Sequence, residues 1–146
     1  KVFLLKPQTF MNDSGRSVIE ASSFYKIPVD NIIVIHDEID LVPAKVQLKK
    51  GGGFAGHKGL MSIGHHFGKD FYRIRVGVGH PGEKDLVSGY VLSDFSKDEN
   101  QWISKIIESV SEQIATAILG DEIKFNQKMA DSCNTGVSDV TAKKEK

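Results

Sequence analysis

Three things are scarce in this chain. One cysteine, Cys133, stands among 146 residues. No internal disulfide can form, which suits a reducing, cytosolic setting. There is no surplus of charge: 19 Lys and Arg balance 19 Asp and Glu, for a net charge of +0. A nucleic-acid partner would have to be met by a local basic patch, not by the whole surface. Long hydrophobic runs are also missing. No apolar stretch approaches the roughly 18 residues of a membrane span, and no charged leader precedes an apolar segment, so neither a membrane anchor nor a secretory signal is expected. No internal repeat is evident. The chain opens without methionine on Lys1-Val2-Phe3-Leu4-Leu5, which reads as a strand and has the look of an internal fragment.

What is present is ordinary in bulk and uneven in distribution. A composition of 40% hydrophobic and 26% charged residues describes a globular chain, long enough for one domain with a real core. Of its 14 glycines, 11 lie between Gly51 and Gly89. The same third of the chain carries His57, Lys58, Arg73 and Arg75, and directly before it a buried apolar run ends in His36, Asp37 and Glu38. Flexible backbone, acid–base groups and cations converge there, so that is where chemistry is expected.

Val2–Leu5 and Ile32–Ile35 read as buried strands. Between them, Asp13 or Ser14 caps a predicted helix running to about Lys26, with Val18, Ala21, Phe24 and Tyr25 at helical spacing and Pro28 as breaker. That order predicts a parallel βαβ unit. Val46 and Leu48 alternate with polar residues, as do Tyr72, Ile74, Val76 and Val78, predicting half-buried strands. A short helix is predicted from about Gly59 to His66. Ser96-Lys97-Asp98-Glu99 fits a capping box. Behind it Ile103, Ile106, Ile107, Val110, Ile114 and Ile118 form a helical stripe, closed by Gly120. A weaker helix is predicted over 121–129. From Asp131 to Lys146 the chain is polar and aperiodic and reads as a disordered tail.

Each motif has two readings. His36-Asp37-Glu38 sits where open α/β sheets bind ligands. Asp37 either orients and charge-stabilises a catalytic His or caps a turn. The spacing matches no standard metal ligand set. Gly51 to Gly59 places five glycines in nine residues before a predicted helix. It is either an anion-holding loop or a flexible connection, and it lacks the Lys-Ser/Thr ending of a P-loop. Lys49, Lys50, Arg73 and Arg75 form either a phosphate-gripping patch, since Arg73 and Arg75 share a strand face, or a solvated edge. Met11 reads as filler, and Asn12 either decorates a loop or positions a substrate carbonyl through its amide. His65 and His66 read as an exposed helix end, and Trp102 as helix packing.

KPQTFMN at Lys6–Asn12, HDEIDL at His36–Leu41, GGGFAGHKGL at Gly51–Leu60 and YRIRVGVGHPG at Tyr72–Gly82, continued by GYVLSDF at Gly89–Phe95, together resemble the bacterial-type peptidyl-tRNA hydrolases. Order and spacing agree from Lys1 to about Met129. The resemblance implies an α/β domain over residues 1–130, built on a mixed, mostly parallel twisted sheet flanked by helices, with the family's first strand missing. A polar tail over 131–146 would follow. It further implies a cytoplasmic, monomeric hydrolase without metal or cofactor. The enzyme would cleave the ester between peptide and tRNA 3′ ribose in peptidyl-tRNA, with no membrane partner.

The residue roles carry over position by position. Asp37 matches the carboxylate that orients the family's catalytic His. Asn12 matches the asparagine that binds the peptide side and places the attacking water, with Met11 beside it. His57 matches the glycine-loop His. Lys49 and Arg75 match a basic pair that clamps a phosphate of the tRNA acceptor end. Two positions depart from the pattern. Lys58 replaces the usual Asn after His57, and a group that only donates cannot position water as an amide does; Lys58 is instead expected to meet substrate phosphate. Phe54 stands where many relatives carry His. The family's general base matches none of the five histidines, so the chain alone is expected to be inactive. The alternative is a non-catalytic RNA-binding relative of the same fold.

Overall fold

The computed structural model describes the backbone of residues 1–141, with side chains through Ser132. Three strands form one sheet: β1 (Ile33–Glu38), β2 (Val46–Lys50) and β3 (Tyr72–Gly77), in the order β1-β3-β2. The hydrogen bonds fix the directions. Tyr72 N–H donates to Ile32 and Val78 N–H to Glu38. That is a constant offset, so β1 and β3 run parallel. Gly51 N–H donates to Phe71 and Gly77 N–H to Lys45. That is a constant sum, so β2 and β3 run antiparallel. The sheet is mixed, as expected, with one pairing of each kind among the described residues instead of a mostly parallel set.

Among the described residues five α-helices accompany it: α1 (Ser14–Tyr25), α2 (Lys58–Phe67), α3 (Val87–Leu92), α4 (Lys97–Ile118) and α5 (Glu122–Thr141). The predicted capping box forms in full. Ser96 Oγ accepts from Glu99 N–H at 3.1 Å, and Glu99 Oε1 accepts from Ser96 N–H at 3.1 Å. Asp13 precedes α1 but makes no side-chain cap and instead pairs with Arg16 at 2.9 Å.

Three expectations change. Val2–Leu5 is not a strand: Leu4 is 94% exposed. Apolar content does not make a strand without a neighbour to complete its hydrogen-bond ladder. Phe3 instead stacks on Tyr25 at 3.9 Å between ring centroids. The βαβ unit expected to start there is therefore not formed by that segment. Second, β1 does not stop before the polar triplet but carries His36, Asp37 and Glu38 inside it, because ladder bonds are indifferent to side-chain polarity. Third, α5 runs through the first part of the expected tail to Thr141. No proline interrupts it, and Ser132 Oγ bonds back to Lys128 at 2.9 Å; helical hydrogen bonding needs no apolar stripe. Residues 142–146 of that tail lie outside the described residues.

The chain divides into two compact units, Lys1–Val34 with Lys50–Tyr72, and Ile35–Lys49 with the chain from Arg73 onward. In the first, Leu60, Ile63 and Phe71 form the core, with Val18, Val29, Ile32, Val34, Phe54 and Phe67 against them. Each fully buried side chain of this size contributes roughly 1.5–3 kcal/mol. In α1, Val18 is used for packing while Phe24 stays 78% exposed. In the second unit Leu48, Ile74, Trp102, Ile106, Phe125 and Met129 are buried, and α4 packs on α5. Trp102 meets Phe95 edge-to-face, the packing role expected of it. No helix among the described residues is long and apolar enough to cross a membrane.

Candidate active site

The first unit holds Met11, Asn12, His57 and Lys58. Met11 and Asn12 lie exposed in a single 3-10 turn, Met11–Asp13, ahead of α1. Ser14 Oγ donates to the Met11 carbonyl at 2.8 Å and ties that turn to the helix start. His57 is the N-cap of α2: its Nδ1 accepts from Leu60 N–H at 3.2 Å. An imidazole that accepts at Nδ1 carries its proton on Nε2, so the ring presents a donor edge. Gly59 brings the pieces together. A Cβ there would lie 2.6 Å from Met11 Sδ and 3.0 Å from His57 Cε1, so only glycine lets the Met11 turn and the His57 ring approach this closely. Lys58 occupies the exposed first position of α2. An ammonium there opposes the positive end of the helix dipole, which favours an anion beside it.

Phe54 packs, which answers the departure at that position. Its ring stacks on Phe71 at 6.4 Å and lies over Gly64, where a Cβ would be 2.2 Å from the ring. Lys50 is not a free cation: it pairs with Asp30 at 3.2 Å and lies over the Tyr72 ring. The Asp30 hydrogen bond, then its charge, holds the Lys50 ammonium above its ordinary value. His65 and His66 sit exposed in the last turn of α2.

The second unit holds Asp37, Lys49 and Arg75. In the antiparallel pair, the bonds joining 45 with 77 and 51 with 71 set Gln47 opposite Arg75 and Lys49 opposite Arg73. In the parallel pair, Glu38 lies beside Gly77 and His36 beside Arg75. His36, Glu38, Gln47, Lys49, Arg73 and Arg75 therefore share one face of the sheet, while Asp37 leaves β1 on the other. On the shared face Lys49 is exposed and Arg73 is buried. Burial first, then the Arg75 charge, pulls the Arg73 guanidinium below its ordinary value, and Glu38 pulls it back. Arg75 is engaged: its Nε and Nη2 donate to Glu38 Oε1 at 3.0 and 2.7 Å, and its Nη1 donates to Gln47 Oε1 at 2.8 Å.

Asp37 is half-buried, and its carbonyl accepts from His36 Nδ1 at 2.8 Å. Asp37 lines a small cleft with Val78, Tyr90, Asp94, Phe95 and Glu99. The Tyr90 hydroxyl donates to the Val78 carbonyl. Burial, then the Glu99 charge, raises the Tyr90 phenol above its ordinary value. A carboxylate at the end of a parallel strand, against an aromatic wall, can hold and charge-stabilise an imidazole.

A family profile described as peptidyl-tRNA hydrolase matches residues 1–138. The chain belongs to the peptidyl-tRNA hydrolase family. A peptidyl-tRNA hydrolase of Azorhizobium caulinodans is 52% identical over 130 residues, 89% of this chain and 63% of its own length. One from Methylobacterium sp. (strain 4-46) is 49% identical over 129 residues, 88% of this chain and 64% of its own. The chain thus spans less than two-thirds of the length of these relatives. The crystal structure of peptidyl-tRNA hydrolase from Acinetobacter baumannii superposes with a TM-score of 0.78 at 38% identity, over 84% of this chain and 63% of that one.

Within this hydrolase fold, three side chains matter that no local sequence pattern assigns. Glu38 and Gln47 hold Arg75, and their pairing depends on strand register, which no local pattern reveals. Asn126 of α5 is the other kind of surprise. Its amide accepts from Leu48 N–H at 2.7 Å and donates to Leu48 C=O at 3.0 Å, bracing edge strand β2 as a neighbouring strand would. Only the fold brings these residues, 78 positions apart, into contact.

Proposed function

We propose that a protein carrying this sequence hydrolyses the ester between peptide and tRNA 3′ ribose in peptidyl-tRNA, acting in the cytosol as a monomer. The observation that carries the reading is the joint presence of Asn12, Asp37 and His57 in a chain about half identical to named peptidyl-tRNA hydrolases. The Asn12 amide donates to the peptide carbonyl and accepts from the attacking water. His57, with Nδ1 engaged by Leu60 N–H, donates from Nε2 to a substrate oxygen and does not take a proton at Nδ1. Asp37 holds the base imidazole in its working tautomer and balances the charge it gains as water loses a proton. Lys49, Arg75 and Lys58 meet RNA phosphates.

Release of peptide from N-acetyl-aminoacyl-tRNA by a protein of the relatives' full length that carries this sequence, measured beside binding of uncharged tRNA, tests the proposal. Asp37→Asn should lower kcat by roughly 10²-fold or more with little change in tRNA binding. A lowered melting temperature with intact kcat would reduce Asp37 to a turn-capping residue. Tight tRNA binding without release of any N-blocked substrate would replace the hydrolase reading by the RNA-binding one.

A further inference from the structure

Arg75 does not stand as a bare cation. Its side chain is 20% exposed, and its partner Glu38 is 10% exposed. One carboxylate oxygen takes both Nε–H and an Nη2–H, and the Gln47 carbonyl oxygen takes an Nη1–H. One N–H on each terminal nitrogen remains, and a guanidinium N–H left over in this way donates readily to a phosphate oxygen. The fork is therefore held on one edge and presented on the other. Holding has a second consequence. Glu38 cancels most of the Arg75 charge, so on this sheet face the carboxylate opposes the attraction that Lys49, Arg73 and Arg75 exert on RNA.

From this geometry we infer that Glu38 and Gln47 are positioning residues for phosphate recognition: Gln47 sets the aim of Arg75, and Glu38 sets both its aim and its effective charge. The inference deepens the hydrolase reading and rests on it. Binding energy for RNA phosphate is moderated by a resident acidic group, which keeps a small basic patch from holding RNA indiscriminately.

The test is binding of an RNA hairpin, with and without a 5′-phosphate, to the 146-residue chain over a salt series. Glu38→Gln keeps the oxygen that holds Arg75 and removes the charge, so binding should tighten at low salt and the salt slope should steepen by about one. Arg75→Ala should weaken binding about tenfold or more, because it removes a phosphate contact and leaves the carboxylate facing phosphate. Adding Glu38→Gln to Arg75→Ala should recover part of that loss, a coupling that a double-mutant cycle isolates. Gln47→Leu, on a half-exposed strand position, should weaken binding a few-fold at an unchanged slope. An effect confined to the 5′-phosphorylated hairpin supports a terminal phosphate, and one shared by both hairpins supports backbone phosphate. A purely structural Glu38 would shift the melting temperature while leaving slope and coupling as in the wild type, and that overturns the inference. If a protein of the relatives' full length carrying this sequence releases peptide yet Glu38 and Arg75 show no coupling, the inference falls and the hydrolase reading stands. If the wild type binds no RNA, both fall.

Discussion

The two units hold their candidate residues by different means. In the first, main chain and glycine do the holding. His57 is fixed by a backbone N–H of its own helix. Met11 and the His57 ring meet over Gly59, and α1 lies so close to α2 that a Cβ on Gly15 would come within 2.2 Å of the Ser62 carbonyl oxygen. In the second unit side chains hold side chains and edges: Arg75 on Glu38 and Gln47, Asn126 on Leu48, Tyr90 on Val78. The second unit has a tight glycine of its own, Gly77, against the Val42 and Lys45 carbonyls, but there the direct partners of the candidate side chains are other side chains. The difference has a consequence for mutation. A backbone-held site tolerates exchange of neighbouring polar groups and fails when a methyl group is added. A site held by polar side chains tolerates added bulk at its exposed rim and fails when one partner is removed.

The sharpest attack on the first mode is Gly15→Val. The branched side chain has no room against a main-chain oxygen, and overpacking of this kind costs about 3 kcal/mol. Urea unfolding should show that loss, and hydrogen exchange should quicken in α1 and α2. Unchanged stability would mean that the helices separate easily and that the close approach is not what holds the Met11 turn. The matching attack on the second mode is Asn126→Leu. It keeps the bulk and strips both hydrogen bonds from Leu48, at an expected cost of about 2 kcal/mol and with faster exchange along β2. If β2 keeps its protection, the brace is incidental.

Two smaller effects sharpen the contrast. His57→Ala removes the α2 cap and should cost about 1 kcal/mol, whereas His57→Asn keeps a capping oxygen and should retain most of that stability. Loss of peptide release in both variants, with stability lost only in the first, separates the chemical role of His57 from its structural one. Tyr90→Phe should cost about 1 kcal/mol at neutral pH through the missing bond to Val78. It should also alter the alkaline limb. The Tyr90 phenol is raised in the folded state, so as pH climbs past its ordinary value of about 10 the unfolded chain loses the proton first and stability falls. Without the hydroxyl that fall should be shallower, and identical alkaline limbs would show that burial of Tyr90 does not govern it.

Much of this was written locally. The stripe from Ile103 to Ile118 behind Ser96 and Glu99 is enough to specify α4 with its capping box, because helix periodicity and capping act within a few residues. The alternation around Ile74 specifies β3 in the same way. The blocks at Lys6–Asn12, His36–Leu41, Gly51–Leu60 and Tyr72–Gly82, in their order, are enough to bring the family into view. What local pattern could not decide was partnership. Val2–Leu5 has the composition of a strand, but a strand exists only beside another, and here Phe3 packs on Tyr25 instead. Arg75 reads as a free cation until register sets Gln47 opposite it and Glu38 within reach. Asp37 and Glu38 are adjacent in sequence and leave the sheet on opposite faces. Hydrophobic pattern and capping are properties of neighbours along the chain. Strand pairing, the face on which a charge emerges and the group that neutralises it depend on residues tens of positions away, and only the tertiary structure settles those.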